Sequence, residues 1–259
     1  MKVEKIKKIG LGFLIPVIVI LAWFIATTVG TVPPSILPKI SKVWASFVSM
    51  LQSGRLGGDL SVSLLRVVKG YLLSVVIGVS LGSAMGMSTT IKELFLPVAT
   101  VIRQIPIIAW IPLIILWAGI GETSKVVIIV LAAVFPILVN TLSGISSTPE
   151  SYVEVARLYK LSRWETFTKV YLPHALPQIL VGLKLGLGVS WMAVVAAELI
   201  AATSGIGFRM SDARSLMQSD VVIVCMFVIG ILGITMDKGI SIIFSFFTPW
   251  EKLKEKEKK

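Results

Sequence analysis

Apolar residues fall in six long blocks along the chain, at roughly 10–30, 60–86, 94–117, 124–146, 176–202 and 221–247, and polar residues gather between them. About 20 apolar residues in a row suffice for a helix to cross a hydrocarbon core. Each block therefore predicts one spanning helix, because a lone segment in lipid can satisfy its backbone only by bonding within itself. The expected fold class is all-α: a polytopic membrane helix bundle with six transmembrane helices. The first block, GLGFLIPVIVILAWFIATTVG, follows Lys2, Lys5, Lys7 and Lys8 as a secretory leader would. It is longer than a leader's apolar core and lacks a convincing cleavage site, so an uncleaved helix is expected. Pro106 and Pro112 interrupt the third block and predict a kinked or broken span.

Small residues recur every four positions in two blocks: Ser74, Gly78, Gly82 and Gly86 in the second, and Gly182, Gly186 and Ser190 in the fifth. Such stripes let helix backbones approach closely in lipid. The pattern favours packing inside the bundle over a dimer face.

One interval breaks the apolar rhythm. EVARLYKLSRWETFTKVYLPHALP, residues 154–177, carries Glu154, Arg157, Lys160, Arg163, Glu165 and Lys169 between two greasy blocks. Ser147 with Glu150, and Ser162 with Glu165, each have the spacing of a capping box, and Pro149 suits a first helical turn. Two boxes so close predict two short helices with a turn near Lys160. Pro173 is expected to end the second helix and Pro177 to open the next span. Val153, Ala156, Leu158, Leu161, Trp164 and Phe167 give the pair apolar faces. Such a pair can lie on the membrane surface, cover the protein's own helix ends or meet a soluble partner; amphipathicity does not choose among them.

Charge orients the bundle. With the N-terminus inside, Lys2, Lys5, Lys7, Lys8, Lys92, Arg157, Lys160, Arg163, Lys169, Lys252, Lys254, Lys256, Lys258 and Lys259 fall on the inner side, 14 in number. The outer side holds Lys39, Lys42, Arg55, Lys125, Arg209 and Arg214, which is 6. The positive-inside rule then places both termini and the 147–175 block in the cytoplasm.

Composition agrees with a membrane class: 55% of residues are hydrophobic and 15% charged, against about 25% charged in soluble domains. The formal charge of +11 does not point to nucleic acid, since the basic residues sit in short loops and tails beside the spans. Cys225 stands alone in an apolar run and reads as a small hydrophobe, and His174 is the single histidine. Neither metal-ligand spacing nor a nucleophile–histidine–acid set occurs.

The block 154–177 resembles the cytoplasmic loop of ABC importer permeases, a motif written E-A-A, then G after three residues, then I-x-L-P. Glu154, Val155 and Ala156 stand at E-A-A, Lys160 at the glycine, and Val170, Leu172 and Pro173 at the closing element. Lysine in place of glycine costs about 1 kcal/mol if the turn is left-handed. RQIPIIAWIPLIILWAGIGETSK at 103–125, FPILVNTLSG at 135–144 and WMAVVAAELI at 191–200 resemble the sulfonate, taurine and nitrate branch. Ala118, where phenylalanine is expected, and PKISKV at 38–43 depart from it. The resemblance implies three parts: 1–58 with the first span and an outer segment, a type-1 transmembrane core at 59–247 with coupling loop 147–175, and a charged cytoplasmic tail at 248–259. It implies a multi-pass protein of the prokaryotic inner membrane that conducts a small solute, such as an aliphatic sulfonate, taurine or nitrate. The implied partners are two cytoplasmic ATPase subunits, an extracytoplasmic solute-binding protein, a second permease copy in a homodimer, and membrane lipid. No cofactor is implied.

The chain has no G-x-x-x-x-G-K-[ST] and so no loop to cradle ATP phosphates, which leaves hydrolysis to the separate subunit. Ionisable residues inside spans are functional candidates. Glu198 either serves the translocation pathway or gate, or is hydrogen-bonded to a neighbouring helix end. Lys184 and Asp237 fall at similar depth and can pair. Arg66, Lys69 and Arg103 either favour an anionic solute or snorkel near span ends. The alternative functions are a proton-coupled secondary carrier or channel, which needs a buried acid or histidine relay, and a non-transporting scaffold.

Overall fold

The structure is a computed structural model and describes residues 2–30 and 32–247. The charged tail at 248–259, and the side chains of Lys2, Lys5, Lys7 and Lys8, lie outside the described residues. Helix α1 (Lys2–Thr28) is followed by α2 (Ile40–Gln52), α3 (Arg55–Met87), α4 (Thr89–Gln104), α5 (Ile107–Ala118) and α6 (Glu122–Ser146). Then come α7 (Glu150–Leu158), α8 (Arg163–Thr166), a π-helical turn (Phe167–Tyr171), α9 (Leu172–Ala201), α10 (Ile206–Ser215) and α11 (Ser219–Phe247). Among the described residues, α3, α6, the continuous helix Arg163–Ala201 and α11 are long and apolar enough to cross a membrane. Helix α1 adds the apolar stretch Leu14–Thr28, and α4 with α5 form one further element bent by 100°.

That bend is the break expected from the prolines. Pro106 has no amide hydrogen and pushes Ile105 into an extended conformation (φ −80°, ψ 119°), so α4 stops and α5 starts afresh. Pro112 lies inside α5 without ending it.

Helix α6 packs against both α3 and α9, and the two small-residue stripes both face it. A Cβ at Gly78 would stand 2.8 Å from Ile137 and 3.1 Å from the Val134 carbonyl; one at Gly182 would stand 3.1 Å from the Pro136 carbonyl. Ile137 of α6 is wedged between Gly78 of α3 and Gly186 of α9. The stripes thus serve intramolecular packing, with the backbone contact that only a missing side chain permits in lipid. Ile128, Ile129, Ala133, Ile137 and Leu138 are buried along α6. Polar hooks add to this: the Tyr71 hydroxyl donates to the Leu183 carbonyl (3.0 Å) and the Trp191 indole to that of Ile229 (3.1 Å).

Two expectations for the central block need correction. Ser147 does not cap α7; its hydroxyl bonds back to the Gly144 carbonyl (2.9 Å) at the end of α6, and Pro149 takes the N-cap position. Nor does Pro173 end a helix. The chain stays helical from Arg163 to Ala201, with the widened π turn immediately before Pro173. A wider turn is a way for a helix to accommodate a residue that cannot donate to the regular ladder.

Candidate functional site

The loop between α6 and α9 folds as an angled helix pair. The Ser162–Glu165 box forms as its spacing predicts: the Ser162 hydroxyl accepts from the Glu165 amide (3.2 Å), and the Glu165 carboxylate accepts from the Ser162 amide (3.0 Å). Between the helices, Lys160 adopts φ +53°. The Lys160 amide donates to the Arg157 carbonyl (2.9 Å) and the Leu161 amide to that of Ala156 (3.0 Å), the two bonds of a Schellman closure. The left-handed turn that glycine makes freely is therefore present here on lysine.

Burial sorts the loop residues into two sets. Val153 and Ala156 are buried against the rest of the chain, at 7% and 2% exposure. Tyr152, Val155, Leu158, Tyr159 and Trp164 are exposed, with Leu158 at 80% and Tyr159 at 78%. Ala156 thus seats the helix on its own protein. Glu154 is exposed and its side chain makes no hydrogen bond or ion pair among the described residues. Anchoring falls to Glu165, which also pairs with Lys169 (3.0 Å), and to Leu172, which packs with Ile145, Ala175 and Ile179. Pro173 is exposed on the first turn of α9.

At the far end of α9, Glu198 is buried in a polar knot. It accepts from Arg66 Nη1 (2.8 Å), from the Ser63 hydroxyl (2.8 Å) and from the Gly207 amide at the start of α10 (3.0 Å). The Ser63 hydroxyl accepts the Ile206 amide (3.0 Å), so two orphan donors of the α10 N-terminus are satisfied by side chains of α3 and α9. Gly205 holds φ +109° directly over the carboxylate, where a Cβ would collide with it. Arg66 also donates through Nε to Glu122 (2.8 Å) and through Nη1 to the Ser204 carbonyl (2.8 Å). Arg66 is therefore committed to partners of its own chain and does not face a solute. Nearby, Arg209 of α10 bonds Asp59 (2.8 Å), and that carboxylate raises the guanidinium above its ordinary pKa.

Lys184 and Asp237 meet across α9 and α11 at 3.3 Å, each about half exposed. Arg103 lies elsewhere. It lines a cavity of about 480 Å³ at the break between α4 and α5, together with Trp110, Phe135 and Asn140. Glu198, Lys184 and Asp237 do not line this cavity.

The chain's relatives bear on this arrangement. Residues 74–250 match the family described as binding-protein-dependent transport system inner membrane component. The chain belongs to that family. A putative ABC transporter permease protein of Methanocaldococcus jannaschii is 35% identical over 253 residues, covering 95% of this chain and 94% of the relative. The taurine transport system permease protein of Escherichia coli is 34% identical over 238 residues, 90% of this chain and 86% of its own length. Among solved structures, an amino acid ABC transporter crystallised with histidines superposes with a TM-score of 0.62 at 19% identity, over 76% of this chain and 96% of that one. That likeness concerns the fold alone. The protein is a permease subunit of an ABC importer, a multi-pass component of the inner membrane and not an enzyme. ABC importer permeases work with ATPase and solute-binding partners.

Some features of this permease escaped the sequence reading. Helix α2 was hidden in the segment between the first two spans, although Ile40, Val43, Phe47 and Met50 recur at helical spacing. It is tied to α11 by the Ser46 hydroxyl on Asp220 and by Lys42 at 3.5 Å from the same carboxylate. Helix α10 has no apolar stripe to announce it; its signal is Gly205 ahead of the polar run. The pairing of Arg66 with Glu122 and Glu198 spans three blocks and had no local signature.

Proposed function

We propose that two copies of this permease enclose a translocation pathway for a small anionic solute, such as an aliphatic sulfonate, taurine or nitrate. The 147–175 loop faces the cytoplasm, both termini lie on that side, and the 59–247 core carries transport within a lipid-covered surface. In this reading the loop docks a cytoplasmic ATPase subunit. The observation that carries it is the ridge of Tyr152, Val155, Leu158, Tyr159 and Trp164, exposed on an otherwise polar helix pair. An apolar cluster of aromatic and aliphatic side chains rimmed by charge is what a protein partner covers. Lys160, Glu154 and Arg157 form part of that rim.

Docked there, an ATPase has a stiff lever available. The helix Arg163–Ala201 runs without interruption from the loop to the Glu198 knot, roughly 58 Å at 1.5 Å per residue. ATP-driven closure of the two ATPases displaces the loop, and rigid-body tilting of this helix against α6 alternates access between the two sides. The preference for an anionic group rests on Arg103 at the cavity and on the taurine permease among the relatives, since taurine carries a sulfonate.

The test is Leu158→Asp combined with Tyr159→Asp. The variant is expected to reach the membrane at normal levels and to lose both co-purification with its ATPase subunit and ATP-dependent uptake. Uptake at the unmodified rate would show that this ridge is not the docking surface.

A further inference from the structure

Helices α1 and α2 precede residue 74, where the match to the family begins, and α1 is peripheral to the bundle. Along Leu14–Thr28 every side chain is exposed except Trp23, Ala26 and Thr27. The tie to the rest of the chain is the Trp23 indole, which donates to the Pro38 carbonyl (2.9 Å) just ahead of α2. A groove of about 310 Å³ lies between α1, α2 and α11. Ile20 and Trp23 form one wall, Val43 and Phe47 the second, and Val224 and Ile231 the third. All of its lining residues are aliphatic or aromatic, so a polar solute finds no partner there. An apolar gap left empty forfeits dispersion contacts on each wall, which favours a hydrocarbon occupant.

Depth identifies that occupant. Counted from Ser219, where α11 begins, Val224 and Ile231 lie about 8 and 18 Å along the helix. Counted back from Thr28, Trp23 and Ile20 lie about 8 and 12 Å along α1. Half a hydrocarbon core is about 15 Å thick. The groove therefore runs through one leaflet, the outer one in the orientation proposed above. Helix α2 marks the boundary of that leaflet with water. Val43 and Met50 are buried on the bundle, Trp44 and Leu51 are exposed on an adjacent side at 66% and 57%, and Ser41, Ser49 and Gln52 are exposed on the third. A helix with tryptophan between its apolar and polar sides suits the membrane interface. Two lysines stand at the groove's upper end. Lys42 is 3.5 Å from Asp220, one helical turn above Val224, and Lys39 has no ion pair among the described residues. Resting on the orientation above, and on neither the solute nor the ATPase, the geometry points to a phospholipid site. One acyl chain fills the groove and wedges α1 against α2 and α11, and Lys39 and Lys42 meet an anionic headgroup above it.

The experiment uses the full-length permease, co-purified with its ATPase, in nanodiscs that contain a trace of phosphatidylglycerol with a diazirine midway along one acyl chain. Crosslinked peptides are mapped by mass spectrometry after photolysis. Label is expected to concentrate on Phe227 and Ile231 of the groove over Leu72 and Val76 of α3, although all four are exposed. Ile20→Trp and Val228→Phe fill the groove from opposite walls, and each is expected to abolish label at Phe227 and Ile231 while Leu72 and Val76 keep theirs. Ile20 is exposed, so its replacement does not threaten the fold; retained ATPase co-purification verifies this in every variant. Unlabelled phosphatidylglycerol is expected to displace the probe about fivefold better than phosphatidylcholine, the factor one lysine contributes near an anionic lipid surface. Lys39→Gln combined with Lys42→Gln should remove that preference. A benzophenone side chain at position 227 is expected to crosslink to phospholipid. The proposal is overturned if the four residues label equally, as ordinary surrounding lipid would label them, or if both filling variants leave the label unchanged. It is overturned equally if phosphatidylcholine competes as well as phosphatidylglycerol, or if position 227 crosslinks to a second permease copy. Because ATPase association is scored separately, these failures are distinct from failure of the importer reading.

Discussion

Arg66 Nη1 lies 2.8 Å from Glu198 Oε1, and both side chains are almost fully buried, at 2% and 1% exposure. The pair joins α3 to α9 at the end of the bundle away from the α7–α8 loop. Ser63 and the Gly207 amide complete the carboxylate's coordination, which is the condition under which a buried charge is tolerated. Removing one partner strands the other. Arg66→Met or Glu198→Leu alone is therefore expected to cost about 3–5 kcal/mol, and the double variant clearly less than the sum. Denaturant unfolding in detergent measures this, and strict additivity would count against direct coupling. Glu122→Gln should cost less, because the Glu122 side chain is 62% exposed.

The glycine stripes make a test with its own control. Gly78→Ala places a methyl 2.8 Å from Ile137 and 3.1 Å from a backbone carbonyl, and over-packing of that kind costs about 1–3 kcal/mol. Gly188→Ala in α9 and Gly239→Ala in α11 meet nothing within 4 Å. Those two should stabilise their helices by about 0.5–1 kcal/mol. Equal effects at all three positions in a thermal-unfolding series would mean that α3 does not pack on α6 as described.

Lys160 carries the left-handed turn between α7 and α8, and glycine relieves that strain. Lys160→Gly is expected to stabilise the loop by about 1 kcal/mol, and Lys160→Val to destabilise it further. Slower amide exchange across α7 in the glycine variant is the readout. Faster exchange would place the gain in chain entropy above the relief of strain.

Lys184 and Asp237 stand 3.3 Å apart. Each single neutralisation, Lys184→Met or Asp237→Leu, leaves a charge without its partner on the bundle's surface. A double-mutant cycle on stability should give a coupling of about 0.5–3 kcal/mol, and a coupling indistinguishable from zero would show that the pair does not persist.

Orientation is open to direct labelling. Ser151 is exposed on α7, and Met217 is exposed at 75% in the turn after α10. Cys225 is fully buried and contributes little background. With both termini inside, Met217→Cys is expected to react with an impermeant maleimide in intact cells and Ser151→Cys only after lysis. The reverse order would invert the topology.

What could be read along the chain was local. Runs of apolar residues announce spans because lipid forbids unsatisfied backbone, Pro106 announces the break because it cannot donate, and the Ser162–Glu165 spacing closes its box within one helical turn. The loop motif was legible for the same reason, since its residues lie within a few turns of each other. Which way those residues face was not. Ala156 and Tyr152 share one short helix, and only the packing of α7 on the bundle buries the first and exposes the second. The continuity of the helix through Pro173 likewise depends on a widened turn that no residue-by-residue rule announces. Of the partnerships across blocks, Lys184 with Asp237 was legible as a match in depth, and the rest belong to tertiary structure. Arg66 meets Glu198 from 132 positions away, and Arg103 stays unpaired beside Trp110, because the approach of α3, α6 and α9 along their small residues decides which charges come within reach. A side chain's own neighbours in sequence set its helix; the partner of a buried charge is set by which helix packs against it.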